Sequence, residues 1–450
     1  MTTSELVDDP ELRCTLSAVE ATQLFLERIE SEQPRLNAMI TITPEFALTE
    51  ARRVDRARVA GRPLSLDGMP IVIKDNVDVA GVPTTVGSRL FAGRMATADA
   101  EVVRRLRAAG AVILGKANMH ELAFGGTSRN ETFGHVLNPA APGRIPGGSS
   151  GGSGAAVAAD LCVAAIGTDT GGSVRLPASL CGVSGLRPTF GAVSNGGVQP
   201  VSRSLDTVGP LARSVEDVYA VLGAIVGFDP DDPSSVDGHV DLAAPVSVDG
   251  LRIGIVDLLL DASDPAVAAC VREAADVFRE LGATLTHVEL PGTTEAIDVC
   301  GRVIKAEALA VYGDDLSSRP ELFEKGTRRR LSLAATSSAS DLAHLHAELR
   351  RWAETVHVAF ANVHLLLLPT IPVDAPAAED ADTVETTAAL VPYTHLLSLA
   401  LIPSLSIPCG FSAGEAPVGA MLAARAWHDG LVHRAGAAFQ SVTDWHRRRY

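Results

Sequence analysis

The 450-residue chain is poor in cysteine, has no paired cysteine spacing and contains no long apolar run. Its six cysteines, Cys14, Cys162, Cys181, Cys270, Cys300 and Cys409, are scattered. That excludes a disulfide scaffold and fits reduced, buried thiols in a cytoplasmic protein. No stretch is apolar for long enough to span a bilayer, and the N-terminus lacks the basic start and apolar core of a signal peptide. Positive charge is in deficit too: a formal net charge of -16 repels phosphate, which argues against a nucleic-acid or anionic-membrane partner. The basic clusters Arg328 to Arg330 and Arg447 to Arg449 read as solvated helix ends. Metal-ligand spacing is also lacking. His344 and His346 would point to different faces of a helix, and "HELAF" from His120 has Phe124 where a zinc-protease helix needs a second histidine.

What is present is an ordinary globular composition, 46% hydrophobic and 20% charged, in a chain long enough for a large core. "SAVEATQLFLERIE" opens with a capping box, Ser17 and Glu20, and puts Ala18, Ala21, Phe25 and Ile29 on one face. Thr43, Pro44 and Gly61 bracket a second helix. "MPIVIK", "DAEVVRRLRAAG" and "AVIL" then read as strand, helix, strand, and "LRIGIVD", the helix from Asp264 to Gly282, and "ATLTHVEL" repeat the pattern. "HLLLLPTIPV" and "SLSIPCGF" read as later strands, and the stretches near 226–248 and 375–387 as loops. The alternation predicts an α/β fold with a mixed, mostly parallel sheet covered by helices on both faces. The lengths favour one continuous body over residues 1–450, with a core at about 65–225 and a more variable segment at about 235–345.

Two glycine clusters carry serine at strand ends, "PGGSSGGSGAAVAA" and "GTDTGGSVRLPASLCG". Neither has the lysine that a P-loop needs after its last glycine, and no strand runs directly into "GGSSGG" as a dinucleotide loop requires. Phosphate cradling is therefore a minor reading. Lys74 ends an apolar strand, where it either marks the point at which the strand reaches water or is buried for chemistry.

Together with "KDNVDVAG", these stretches resemble the amidase signature family, and weaker similarity through "NMHELAFG", "LLLPTIPVDAP", "SLSIPCGF" and "TDWHRRR" spreads the resemblance over nearly the whole chain. The resemblance implies a catalytic triad in which Ser173 is the nucleophile, Ser149, after a cis peptide, bridges the proton path, and Lys74 is the base. It implies no cofactor and no metal. Ser150, Asp169 and Arg175 would support the site, and the backbone amides of Thr170, Gly171, Gly172 and Ser173 would form the oxyanion hole. A serine hydroxyl attacks only once a base takes its proton. Lys74 must therefore be neutral, and against a reference pKa near 10.4 that costs roughly 4 to 5 kcal/mol at pH 7, which burial can supply. Ser150 or Ser153 is expected to cap the helix that follows.

The resemblance puts Ala123, Phe124, Gly125 and Gly126 beside the acyl pocket, with Phe124 equally suited to the core. The helices around 301–332 and a loop near Tyr393 would complete the pocket. The implied activity is hydrolysis of a small carboxamide, anilide or carbamate, because "NMHELAFG" looks closer to aryl- and aralkyl-amidases than to the "NMDEFAMG" of the glutaminase subunit of glutamyl-tRNA amidotransferase. That glutaminase subunit, working with partner subunits, is the alternative, and a catalytically silent amidase-fold binding protein is a third. The partner expected is a small molecule, with a homodimer as the base-rate assembly.

Overall fold

The computed structural model describes residues 2–449 apart from 243–245, 335–338, 380 and 382. Parts of the 235–345 segment and of the 226–248 and 375–387 stretches thus lie outside the described residues.

Local signals translate directly into the first elements. Ser17 Oγ accepts from the Glu20 amide at 3.1 Å while the Glu20 carboxylate accepts from the Ser17 amide at 2.9 Å. This opens the helix Ala18–Leu36, whose Ala18, Ala21, Phe25 and Ile29 are buried. The helix Pro44–Val59 begins on its proline as expected, but Thr43 makes no side-chain cap.

Eleven strands among the described residues form one sheet: β1 Met39–Ile42, β2 Pro70–Lys74, β3 Val112–Ala117, β4 Ala164–Asp169, β5 Ser184–Arg187, β6 Thr207–Ala212, β7 Arg252–Ile255, β8 Thr284–His287, β9 Leu365–Pro369, β10 Ser404–Phe411 and β11 Pro417–Ala423. Their order is β1-β3-β2-β4-β6-β5-β10-β11-β9-β7-β8. Both strand-helix-strand units read from the residues are parallel pairs, β2 with β3 and β7 with β8. The α/β architecture and the mixed sheet stand, but the expectation that the sheet is mostly parallel needs correction. Only β3–β2, β2–β4, β9–β7 and β7–β8 are parallel, and the other six neighbouring pairs are antiparallel. Antiparallel neighbours need no helical crossover, so strand-helix-strand alternation detects the two outer units and misses the centre.

Helices cover both faces, and β9 shows why. Leu365 and Leu367 pack in a core with Phe278 and Phe439, from the helices Pro265–Glu280 and Asp429–Val442. Leu366 and Leu368 pack in a second core with Trp352 and Leu396, from the helices Ala339–Ala359 and Pro392–Leu399. A strand buried on both faces reads as a continuous apolar run because its alternate side chains serve different cores.

The register of β2 on β4 prepares the site. Ile73 pairs with Ile166, so the chain ends of these parallel strands emerge together and Lys74 arrives beside Thr168 and Asp169.

Candidate active site

Lys74 is fully buried, so it does not mark the point at which the strand reaches water. Its Nζ lies 2.8 Å from Ser149 Oγ and 2.8 Å from Thr168 Oγ1, with the Thr168 carbonyl at 3.4 Å. Burial pulls its pKa down to about 7, against the opposing pull of the Asp169 and Asp206 charges. A neutral amine has two hydrogens and one lone pair. Here Nζ donates to Ser149 Oγ and Thr168 Oγ1, and on deprotonation its lone pair would be available to the Ser149 hydroxyl.

Ser149 follows a cis peptide bond from Gly148. Glycine is required at 148 by close approach: a Cβ there would lie 2.7 Å from the backbone nitrogens of Thr127 and Ser128. The expectation that Ser150 or Ser153 caps the next helix is corrected. Ser150 Oγ donates to the Thr168 carbonyl at 3.2 Å, and Ser153 Oγ to the Ile166 carbonyl at 3.1 Å, so both tie the helix Gly151–Ala158 to β4. The capping hydroxyl comes from Ser128, which accepts from the Gly151 amide at 2.9 Å. No local pattern could reveal a cap donated from 23 residues away.

The second cluster is organised by Asp169. Its carboxylate takes the amides of Gly172 at 2.8 Å and Val174 at 3.2 Å, together with Arg175 Nε at 2.9 Å. Burial would raise this carboxyl, but Arg175 and Arg187 outweigh it and hold the group well below the usual carboxylate range. Asp169 and Arg175 thus form the buried ion pair expected to support the loop. Thr170 Oγ1 donates to Asp206 at 2.6 Å. Of the four amides expected to bind an oxyanion, Gly172 is committed to Asp169, so its place in that set is corrected. Among the described residues, the amides of Thr170, Gly171 and Ser173 remain for a ligand oxygen.

Ser173 lines a cavity of about 350 Å³. Its carbonyl accepts from the Ser150 amide at 3.2 Å, which ties the two glycine clusters together. Among the described residues no hydrogen bond joins the Ser149 and Ser173 hydroxyls. Ala123, Phe124, Gly125 and Gly126 all line the cavity, and Phe124 is at once core and wall, since it is buried in the second hydrophobic cluster. The helices Thr293–Ser318 and Lys325–Ala334 contribute Ile297, Ile304, Lys305 and Arg330. The expected loop near Tyr393 is a helix, and Tyr393 itself turns away to donate to the Leu259 carbonyl at 2.6 Å. Its neighbours Val391 and His395 face the cavity instead. His395 is 8% exposed, and burial lowers its pKa to about 4, leaving a neutral ring. Arg330 reaches His120 Nε2 at 2.5 Å beneath Gly125. Arg330, expected with Arg328 and Arg329 at a solvated helix end, is instead buried in the cavity wall while those two stay exposed. His395 escapes sequence reading, since it stands in an unremarkable helical pattern.

A family model described as Amidase matches residues 20–432. The chain belongs to the amidase family. It is similar to a glutamyl-tRNA(Gln) amidotransferase subunit of Chloroflexus aggregans, 40% identical over 96% of this chain and 95% of that one. Among solved structures it resembles the peptide amidase of Stenotrophomonas maltophilia at 33% identity and a TM-score of 0.87, over 99% and 97% of the two chains. It also resembles a protein from a vestigial complex described as revealing the evolutionary origins of an s-triazine catabolic enzyme, at 35% identity and a TM-score of 0.90, over 98% of each chain. This amidase is an amide-hydrolysing enzyme with the amidase signature fold. No helix among the described residues is long and apolar enough to cross a membrane.

Proposed function

We propose that the protein cleaves the C-N bond of a carboxamide through an acyl-enzyme on Ser173, without a cofactor. The observation that carries this reading is the 2.8 Å contact between Ser149 Oγ and Lys74 Nζ, an amine that burial brings to a pKa of about 7, next to a cavity lined by Ser173. Ser173 Oγ attacks the carbonyl carbon, and its proton passes through Ser149 to Lys74. The tetrahedral oxygen takes hydrogen bonds from the amides of Thr170, Gly171 and Ser173. The proton returns through Ser149 to the departing nitrogen, and water, activated along the same path, releases the acid.

The relatives favour glutamine as substrate, with the chain acting as one component of an amidotransferase. Arg330 and Lys305 in the cavity wall suit the carboxylate that glutamine carries. The partners are then the other subunits, and glutamyl-tRNA is the substrate of the assembly, which a chain of net charge -16 need not bind by itself. A free-standing aryl- or alkyl-amidase is the second reading, favoured by the apolar wall of Phe124, Ile297, Ile304 and Val391.

Labelling with a fluorophosphonate probe followed by peptide mass spectrometry should place the adduct on Ser173. No adduct under conditions that label a control amidase would overturn the acyl-enzyme and favour a silent binding protein. Turnover of glutamine, butyramide, an anilide and a carbamate, with and without the remaining amidotransferase subunits, separates the two substrate readings. Glutaminase activity that appears only with those subunits supports the first, and anilide turnover by the chain alone supports the second.

A further inference from the structure

The peptide unit that joins Gly171 to Gly172 is held at both ends. Its N-H donates to Asp169 Oδ1 at 2.8 Å, and its C=O accepts from Thr394 Oγ1 at 2.6 Å. These groups project from opposite edges of one rigid plane, so turning the plane over breaks both bonds at once. The amides of Gly171 and Ser173 lie in the peptide units on either side, and the held plane sets their directions. Gly172 has φ +135°, and a side chain there would collide with the Thr394 hydroxyl.

Thr394 is 0% exposed, on the helix Pro392–Leu399. Its hydroxyl has one hydrogen, and the Gly171 carbonyl at 2.6 Å is nearer than the competing Val391 carbonyl at 3.0 Å. The Thr394 carbonyl accepts from Arg175 at 3.2 Å, and Arg175 grips Asp169, so the two fastenings of the peptide share one buried ion pair. The hydroxyl is thus connected to the loop that carries Ser173 from both sides.

We propose that Thr394 is a positioning residue for catalysis: its hydroxyl locks the Gly171–Gly172 peptide so that the amides of Gly171 and Ser173 stay converged on the oxygen of the tetrahedral intermediate. The proposal rests on the Ser173 acyl-enzyme reading. Without the hydroxyl, the buried Gly171 carbonyl loses its partner and one of the two barriers to turning the peptide is gone.

The test uses fluorophosphonate labelling, whose phosphoryl oxygen must occupy the same amides, together with steady-state turnover of whichever carboxamide the wild type hydrolyses. Thr394→Val, nearly isosteric, should slow labelling and lower kcat by roughly 10- to 100-fold while KM changes little. Thr394→Ser, which returns the hydroxyl, should recover most of both. Circular dichroism and thermal unfolding verify that the variants are folded, and Thr394→Ala is the second hydroxyl-free variant should valine not fold. Wild-type labelling and kcat in a folded hydroxyl-free variant would overturn the proposal, as would a change confined to KM or a failure of serine to rescue. A wild type that does not label at Ser173 would instead overturn the acyl-enzyme reading beneath it.

Discussion

Two lysines on neighbouring strands, both 0% exposed, have opposite relations to charge. Lys116 on β3 faces Asp75 at 3.0 Å and Thr84 Oγ1 at 3.0 Å. Lys74 on β2 faces only hydroxyls and a carbonyl, and the carboxylates that influence it, Asp169 and Asp206, are bonded elsewhere. Burial draws both pKa values down, but at Lys116 Asp75 opposes it in direct contact. Lys116 sits in direct contact with a buried carboxylate. Lys74 is an amine poised between its protonation states near neutral pH. Burial of a lysine therefore does not by itself indicate chemistry; what decides is whether a carboxylate completes its surroundings.

The comparison breaks most visibly by removing each cation in turn. Lys74→Met should lower turnover by at least about 10⁴-fold, since the relay loses its base. Its fold should persist, because no buried carboxylate loses an ion-pair partner. Near-normal turnover in this variant would sink the relay.

Lys116→Met should do the reverse. It leaves Asp75 buried without its cation, at a cost of about 3 to 5 kcal/mol in stability by denaturant unfolding. An unchanged unfolding midpoint would mean that the ion pair does not hold the fold together.

Thr168→Val sharpens the distinction, because it removes a hydroxyl that orients the Lys74 amine without removing the amine. Turnover should fall by roughly 10-fold with KM nearly unchanged. Loss as complete as that of Lys74→Met would instead make Thr168 a member of the relay.

The pH dependence separates the two lysines with the smallest change in signal. The active form of Lys74 is neutral, so kcat/KM should rise as pH increases through about 7 and level off above it. Stability carries the same sign: between about pH 7 and the ordinary value of 10.5, the unfolded chain binds a proton that the folded chain does not. The Lys74 contribution to stability therefore rises with pH across that window, and Lys74→Met should flatten it. An acid limb that does not move with substitutions around Lys74 would assign it to another group.

Much of this was legible in the residues, and unevenly so. The capping box at Ser17 and the apolar run of β9 could be read because their causes lie within a few residues of one another. The antiparallel centre of the sheet could not, because pairing direction there depends on segments far apart in the chain, as where β5 meets β10. In the site, Lys74, Ser149 and Ser173 were picked out through the resemblance to the amidase signature family, and the structure brings Lys74 against Ser149 and sets Ser173 in the cavity wall. The conformation of the loop that carries Ser173 was legible only as a glycine-rich turn. That Gly172 spends its amide on Asp169, and that Thr394 holds the preceding carbonyl, became visible once the helix Pro392–Leu399 was folded against the loop. Ser128 as a helix cap and His395 as a cavity wall were missed for the same reason.

By itself the sequence determined the family, two serine-bearing glycine clusters, of which only the second follows a strand, and the presence of a lysine at the end of an apolar strand, all of which are matters of residue identity and short spacing. Only the tertiary structure decided which lysine meets a carboxylate and which meets hydroxyls. That outcome depends on the register of β2 against β4, which sets Lys74 among hydroxyls, and on the turn after β2, which gives Asp75 to Lys116 instead. Charge in a dry interior is governed by the nearest few ångströms, and a one-dimensional pattern does not say what will fill them.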